Sequence, residues 1–150
     1  KNLEATGITA MLEEKVKSGS TPFLGICLGM QLLTASSEEG SLRGMGWISA
    51  STKRFNEACS GIKIPHVGWN YTIPQKESRL FRNETGAMKF YFSHAYHVVS
   101  ADEDDVLCTT TYGSDFVSVI ERGNIAGVQF HPEKSGRHGA AFLKNFAAYF

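Results

Sequence analysis

What this sequence lacks narrows its chemistry before any motif is read. Cysteine is scarce: Cys27, Cys59 and Cys108 are odd in number, widely spaced and free of any CxxC pair. That excludes a disulfide framework and a structural zinc ribbon, and it fits a reducing cytosol or plastid interior, so a cytoplasmic protein is expected. Charge of neither sign is in excess, since Lys plus Arg and Asp plus Glu each number 15. Without a basic stripe there is no electrostatic footprint for nucleic acid. No apolar run approaches the ~20 residues of a membrane-spanning helix, and the first residues show neither a signal peptide's apolar core nor a transit peptide's bias. Internal repeats, linkers and low-complexity segments are missing too.

The chain has 150 residues, 42% of them hydrophobic. A chain of that size supports one domain that buries roughly two-thirds of its unfolded surface. Ile8, Met11, Leu12 and Val16 recur near helical spacing, which predicts a helix over 3–17. Residues 22–26 read as a buried strand, and 28–36 as a helix closed by the acidic turn Glu38-Glu39-Gly40. Residues 45–55 and 89–99 mix aromatic and β-branched side chains like strands, separated by a loop-rich stretch around Pro65 and Pro74. Strands are expected at 106–112, 116–122 and 125–130, and the turn signals Gly113-Ser114 and Gly123-Asn124 between them predict antiparallel hairpins. A closing helix over 139–150 carries Ala141, Phe142, Phe146 and Tyr149 on one stripe. The fold expected is α/β: a mostly parallel central sheet with an antiparallel extension and helices on both faces. In open sheets of this kind the site lies at the carboxyl ends of the strands.

Cys27 stands between two glycines in Gly25-Ile26-Cys27-Leu28-Gly29, after the apolar run Pro22-Phe23-Leu24 and before the helical pattern Met30-Gln31-Leu32-Leu33. This is the pattern of a nucleophile elbow, in which a strand turns straight into a helix and strains the residue at the bend. Side chains two positions away on either side are expected to collide, hence the glycines. A thiol at a helix N-terminus is expected to have a lowered pKa and to attack carbonyls as a thiolate. The plain alternative is a buried core cysteine. Near the other end, Gly127-Val128-Gln129-Phe130-His131-Pro132-Glu133 reads as a strand ending in His131. Pro132 favours an extended His131, so His131 and Glu133 can project to one side and the carboxylate can hold the imidazole. Alone, His-Pro-Glu reads equally as a strand-terminating turn with a solvated acid; with Cys27 it supplies the parts of a Cys-His-Glu triad.

These two segments together resemble the signature of class I, triad-type glutamine amidotransferase domains. His66-Val67-Gly68-Trp69-Asn70, Phe90-Tyr91-Phe92-Ser93-His94-Ala95-Tyr96 and Lys134-Ser135 narrow the resemblance to the glutaminase subunits of imidazole glycerol phosphate synthases, in histidine biosynthesis. The resemblance spans nearly the whole chain and implies a flavodoxin-like sheet. It implies a glutaminase that needs no cofactor or metal and works docked on a (β/α)8-barrel cyclase, which takes the ammonia before it is lost to water. By the same resemblance Cys27, His131 and Glu133 are catalytic, Gly25 and Leu28 are substrate-binding, and the Leu28 N–H is an oxyanion donor. Gln31, Glu39 and the backbone around His94, Ala95 and Tyr96 hold the amino-acid end of glutamine, and Trp69, Asn70 and Lys134 face the cyclase. Members of the family often carry a hydroxyl residue where Ala95 stands. They begin upstream of Lys1, with strands and a glycine-rich loop that supplies a second oxyanion donor, so residues 1–150 are expected to be a glutaminase domain incomplete at its N-terminus. Sister amidotransferases for anthranilate, guanylate or carbamoyl phosphate share the elbow and His-Pro-Glu. A partner-independent peptidase or γ-glutamyl hydrolase, and a catalytically silent binding module, are the readings from other classes.

Overall fold

A computed structural model describes residues 6–19, 21–56, 61–100 and 102–150. In chain order its elements are α1 (Ile8–Lys17), β1 (Phe23–Ile26), α2 (Leu28–Leu32), β2 (Ser36–Ser37), β3 (Ala50–Arg54), β4 (His66–Pro74), β5 (Met88–His94), β6 (Tyr96–Ser100), β7 (Val106–Tyr112), β8 (Ser114–Arg122), β9 (Ile125–Val128) and α3 (Gly136–Tyr149). Short 3-10 turns lie at Arg79–Phe81, Glu103–Asp105 and Pro132–Lys134.

The strands form one mixed sheet in the order β2-β3-β6-β8-β7-β4-β5, with β9 pairing both β8 and β1. Pairing is parallel in β1/β9 and β2/β3 and antiparallel elsewhere among the described strands. The α/β class with an antiparallel extension holds, and the extension makes up most of the described sheet. Period-two alternation explains why helices cover both faces. Val119 and Ile120 are neighbours on β8 and both fully buried, yet they enter different cores. Val119 joins Val128, Phe130 and Phe142 of α3, whereas Ile120 joins Ile125, Met30 of α2 and Val16 of α1. The first core is dense in aromatics, with Phe90 stacked on Phe130 at 3.8 Å between centroids. Gly127 sits where α2 crosses β9; a Cβ there would lie 2.8 Å from Met30 Cγ.

Several expected elements differ in extent. The opening helix is described from Ile8 onward, and the expected residues 3–5 lie outside the described residues. The helix after the elbow stops at Leu32, because the Thr34 hydroxyl donates to Gln31 O at 2.8 Å and closes the turn, after which Ser36–Ser37 pairs with β3. Residues 89–99 are two strands that change neighbours at Ala95: β5 pairs with β4, and β6 with β3. The stretch between Pro65 and Pro74, expected to be loop, is the nine-residue strand β4. Its alternation is inverted. His66 and Thr72 point into the core while Val67, Trp69, Tyr71 and Ile73 face outward, 42% to 55% exposed, so the pattern carries no core signal. The hairpins β7–β8 and β8–β9 form as expected, with Gly113 and Gly123 at positive φ in their turns.

Candidate active site

The parallel pair β1/β9 positions the chemistry. Ile26 lies opposite Val128, and the Cys27 N–H donates to Val128 O at 2.7 Å, so the two chains leave the sheet side by side at their carboxyl ends. Cys27 occupies the bend with φ 51° and ψ −105°, a left-handed conformation costly for any residue with a Cβ. Gly25 makes the bend possible: a Cβ there would lie 2.6 Å from the carbonyl carbon and oxygen of Gly29. The mirror-image collision expected at Gly29 does not occur, because a Cβ on Gly29 would meet open space. The crowding runs one way, from strand into helix.

The thiol sits in a polar nest. Gln129 Nε2 lies 3.5 Å from Cys27 Sγ, and the thiol faces Ser93 O at 3.9 Å. Its pKa corrects the expectation of a lowered value. Burial pushes the thiol above its ordinary range, and the Glu133 and Glu39 carboxylates add to the rise; the Leu28 N–H and the Gln129 amide pull the other way without winning. A half-buried sulfur loses more solvation as a thiolate than the elbow's first N–H restores.

His131 leaves β9 two residues after Gln129. Its Nδ1 is 2.8 Å from Glu133 Oε1, which turns the Nε2 edge of the ring away from the carboxylate. The backbone is held more firmly than the ring. The His131 N–H donates to Tyr91 O at 2.8 Å, the Tyr91 N–H to Ser135 Oγ at 3.0 Å, and the Ser135 hydroxyl to His131 O at 2.5 Å. Ser135, quoted in the sequence only as part of a signature, is therefore a clamp for the imidazole, and nothing in its local pattern announces it.

The remaining expected site residues divide. Leu28, the residue after Cys27, is exposed and lines a cavity of about 230 Å³ with Gln31, Ser37, Glu39 and Arg43. The Gln31 side chain is buried, and its amide N–H groups donate to Tyr96 O at 3.0 Å and Gln129 Oε1 at 3.1 Å. His94 is also turned inward, bonding Tyr96 O through Nδ1 at 2.7 Å and His66 through Nε2 at 3.0 Å. Ala95 is the bend between β5 and β6 and Tyr96 opens β6, two and three residues after Ser93, whose carbonyl faces the sulfur. Trp69 and Lys134 share a neighbour, Tyr91, whose ring meets Trp69 edge-on at 6.0 Å and lies under the Lys134 ammonium at 5.8 Å. Asn70 points to the opposite face, as strand alternation requires, and donates to Thr111 O at 2.9 Å, so its side chain is engaged inside the fold.

Among the residues with no assigned role, Cys108 is fully buried and burial drives its thiol far up. His97 stacks on Phe55 at 4.4 Å. His138 is largely covered and lies 3.2 Å from a Glu84 carboxylate oxygen. Cys59 lies outside the described residues. Among the described residues no cluster of His, Cys, Asp and Glu could hold a metal, and no helix is long and apolar enough to cross a membrane.

Comparison with known proteins places this geometry. The family profile of class-I glutamine amidotransferases matches residues 2–149. The chain is 46% identical over 145 residues to imidazole glycerol phosphate synthase subunit HisH 2 of Methanococcus maripaludis, covering 97% of this chain and 71% of that protein. It is 44% identical over 147 residues to the chloroplastic imidazole glycerol phosphate synthase hisHF of Arabidopsis thaliana, covering 96% of this chain and 24% of that one. Among solved structures, a putative GMP synthase component from Thermoplasma acidophilum superposes with a TM-score of 0.65 at 18% identity, over 95% of this chain and 64% of that one. A glutamine amidotransferase from Thermotoga maritima gives 0.62 at 20%, over 95% and 54%. At those identities the structures speak for the fold alone.

Proposed function

The chain belongs to the class-I glutamine amidotransferases, and from that premise we propose that it hydrolyses glutamine to glutamate and ammonia, with Cys27 as nucleophile, His131 as proton carrier and Glu133 as the group that holds the imidazole. The observation that carries the reading is the elbow: a strained Cys27 at the end of β1, beside the β9 end from which His131 and Glu133 project. Cys27 gives its proton to His131 as its sulfur adds to the side-chain carboxamide carbon. The Leu28 N–H faces the oxyanion. Collapse breaks the C–N bond, the imidazolium protonates the leaving nitrogen, and a γ-glutamyl thioester remains. Water then gives a proton to His131 and adds to the thioester; the C–S bond breaks and the thiol regains its proton. Glu39 lines the same cavity as Leu28, which supports its role on this reading as the partner of the α-ammonium group.

The ammonia acceptor on this reading is the cyclase of imidazole glycerol phosphate synthesis. The relatives carry that synthase's name, and Trp69, Tyr91 and Lys134 form a surface next to the His131 turn. An exposed Trp is a frequent interface anchor. Unpaired thiols at Cys27 and Cys108 suit a reducing compartment such as the cytoplasm. Reconstitution with the cyclase is the test. Cys27→Ser should retain cyclase binding and the ammonia-driven reaction while losing the glutamine-driven one; loss of both, or glutamine hydrolysis that survives the substitution, contradicts the reading.

A further inference from the structure

Resting on the glutaminase reading, we propose that Gln129 is a further catalytic residue: its side-chain N–H, aimed at Cys27 Sγ by a hydrogen-bond chain of fixed polarity, holds the sulfur and stabilises it as a thiolate. A side-chain amide can present either end, so the case depends on which end faces the sulfur. The structure decides it from a carbonyl. Tyr96 O can only accept, and it receives two contacts, from Gln31 Nε2 at 3.0 Å and His94 Nδ1 at 2.7 Å. The Gln31 group there must be its NH2. That group's second hydrogen points to the Gln129 side-chain oxygen, 3.1 Å away. Reversing Gln129 would set two NH2 groups against each other, so its oxygen faces Gln31 and its nitrogen faces Cys27 Sγ at 3.5 Å.

The far end of the chain agrees. With its proton on Nδ1, neutral His94 has a lone pair on Nε2, which lies 3.0 Å from His66 Nδ1; the proton there belongs to His66. His66 Nε2 is then an acceptor, and the group beside it is Asn70 Nδ2 at 3.3 Å, a donor that also binds Thr111 O. Burial keeps both imidazoles neutral, lowering His66 to about 4 and His94 to about 3. From Asn70 to the sulfur every contact has one donor and one acceptor. Neither Gln129, at 0% exposure, nor Gln31 has room to reorient freely.

The chemistry of an amide suits the task. When the thiol proton moves to His131, its contact with Ser93 O is lost, and the charge on sulfur meets the N–H groups of Leu28 and Gln129. A hydrogen bond to an ion is about twice as strong as one between neutral groups. A lysine in this position would lower the thiol pKa further, but nucleophilicity falls with pKa, and it would repel the imidazolium. A neutral donor offsets part of the burial and leaves the sulfur reactive.

The test is the pH dependence of Cys27 alkylation by iodoacetamide in the full chain, followed by peptide mass spectrometry so that Cys27 is read apart from Cys59 and Cys108. Gln129→Met should move the inflection to higher pH and slow alkylation at pH 7 by about tenfold. In glutamine hydrolysis it should lower kcat with KM nearly unchanged. Gln129→Glu, which keeps the volume but turns a carboxylate to the sulfur, should shift the inflection further in the same direction. Gln31→Met, which frees Gln129 to turn, should give a smaller shift of that sign and decides the matter if the Gln129 variants do not fold. Profiles that superpose on the parent in folded variants overturn the proposal. Alkylation needs no turnover, so a parent chain without glutaminase activity would count against the function proposed above and leave this result readable.

Discussion

Cys27 and His131 follow neighbouring parallel strands, yet they are held in opposite ways. The sulfur is fixed by a strained backbone, by a 2.7 Å bond from its own N–H to Val128 O, and by a buried amide chain. The imidazole stands on a backbone pinned by Tyr91 and Ser135, but its ring is held at one edge by Glu133, itself 50% exposed. The difference follows the chemistry. A nucleophile must wait at one point, whereas a proton carrier must serve the sulfur, the leaving nitrogen and the water in turn.

The largest effect belongs to the fixed end. Cys27→Ser should lower glutamine-dependent turnover by at least about a thousandfold with little change in stability, read by glutamate release and thermal unfolding. Next comes the lightly held end. Glu133→Gln should lower kcat by roughly a hundredfold through misorientation of His131, yet leave stability within about 0.5 kcal/mol, because a single hydrogen bond to a half-exposed carboxylate contributes little to folding. If that variant were strongly destabilised, the contrast between the two ends would fail. Gly25→Ala should reverse this pattern and damage both activity and stability, by ~3 kcal/mol in denaturant unfolding, since its Cβ would lie 2.6 Å from Gly29 backbone.

The smallest effect concerns the histidines behind the sulfur. His66 and His94 have folded pKa values lowered to about 4 and about 3 by burial. Below the ordinary value near 6.5 the unfolded chain takes up protons that the folded chain refuses, so stability is full above that pH and is lost as pH falls toward the folded values. The loss should be of order 2 kcal/mol per imidazole between pH 6.5 and 5. Substituting His66 with Asn should flatten the pH dependence of the melting temperature even if it lowers its absolute value; an unchanged slope would mean that these rings are not the neutral props of Tyr96 O.

The contrast also explains what is legible in the sequence. The elbow, the His131-Glu133 pair and the hairpins depend on residues close in the chain, so glycine placement and turn signals reveal them. Gln129 reaches Cys27 across 102 positions, and Ser135 acts through Tyr91, so their roles exist only after the strands pair. Strand β4 is hidden because its apolar side chains face outward. The thiol's pKa runs against the sequence expectation because a bend is visible in the chain and burial is not. Gln31 and Asn70 read in sequence as reaching outward, and both amides are engaged within the fold.

The most direct measurement is to mix the chain, with the cyclase present, with glutamine, quench in acid within a turnover, and identify the modified peptide by mass. A γ-glutamyl thioester on the peptide containing Cys27, absent in Cys27→Ser and strongly diminished in His131→Ala, which has no base to take the thiol proton, is the result this account predicts. Steady glutamate release with Cys27 unmodified throughout, or the adduct on another residue, would contradict it.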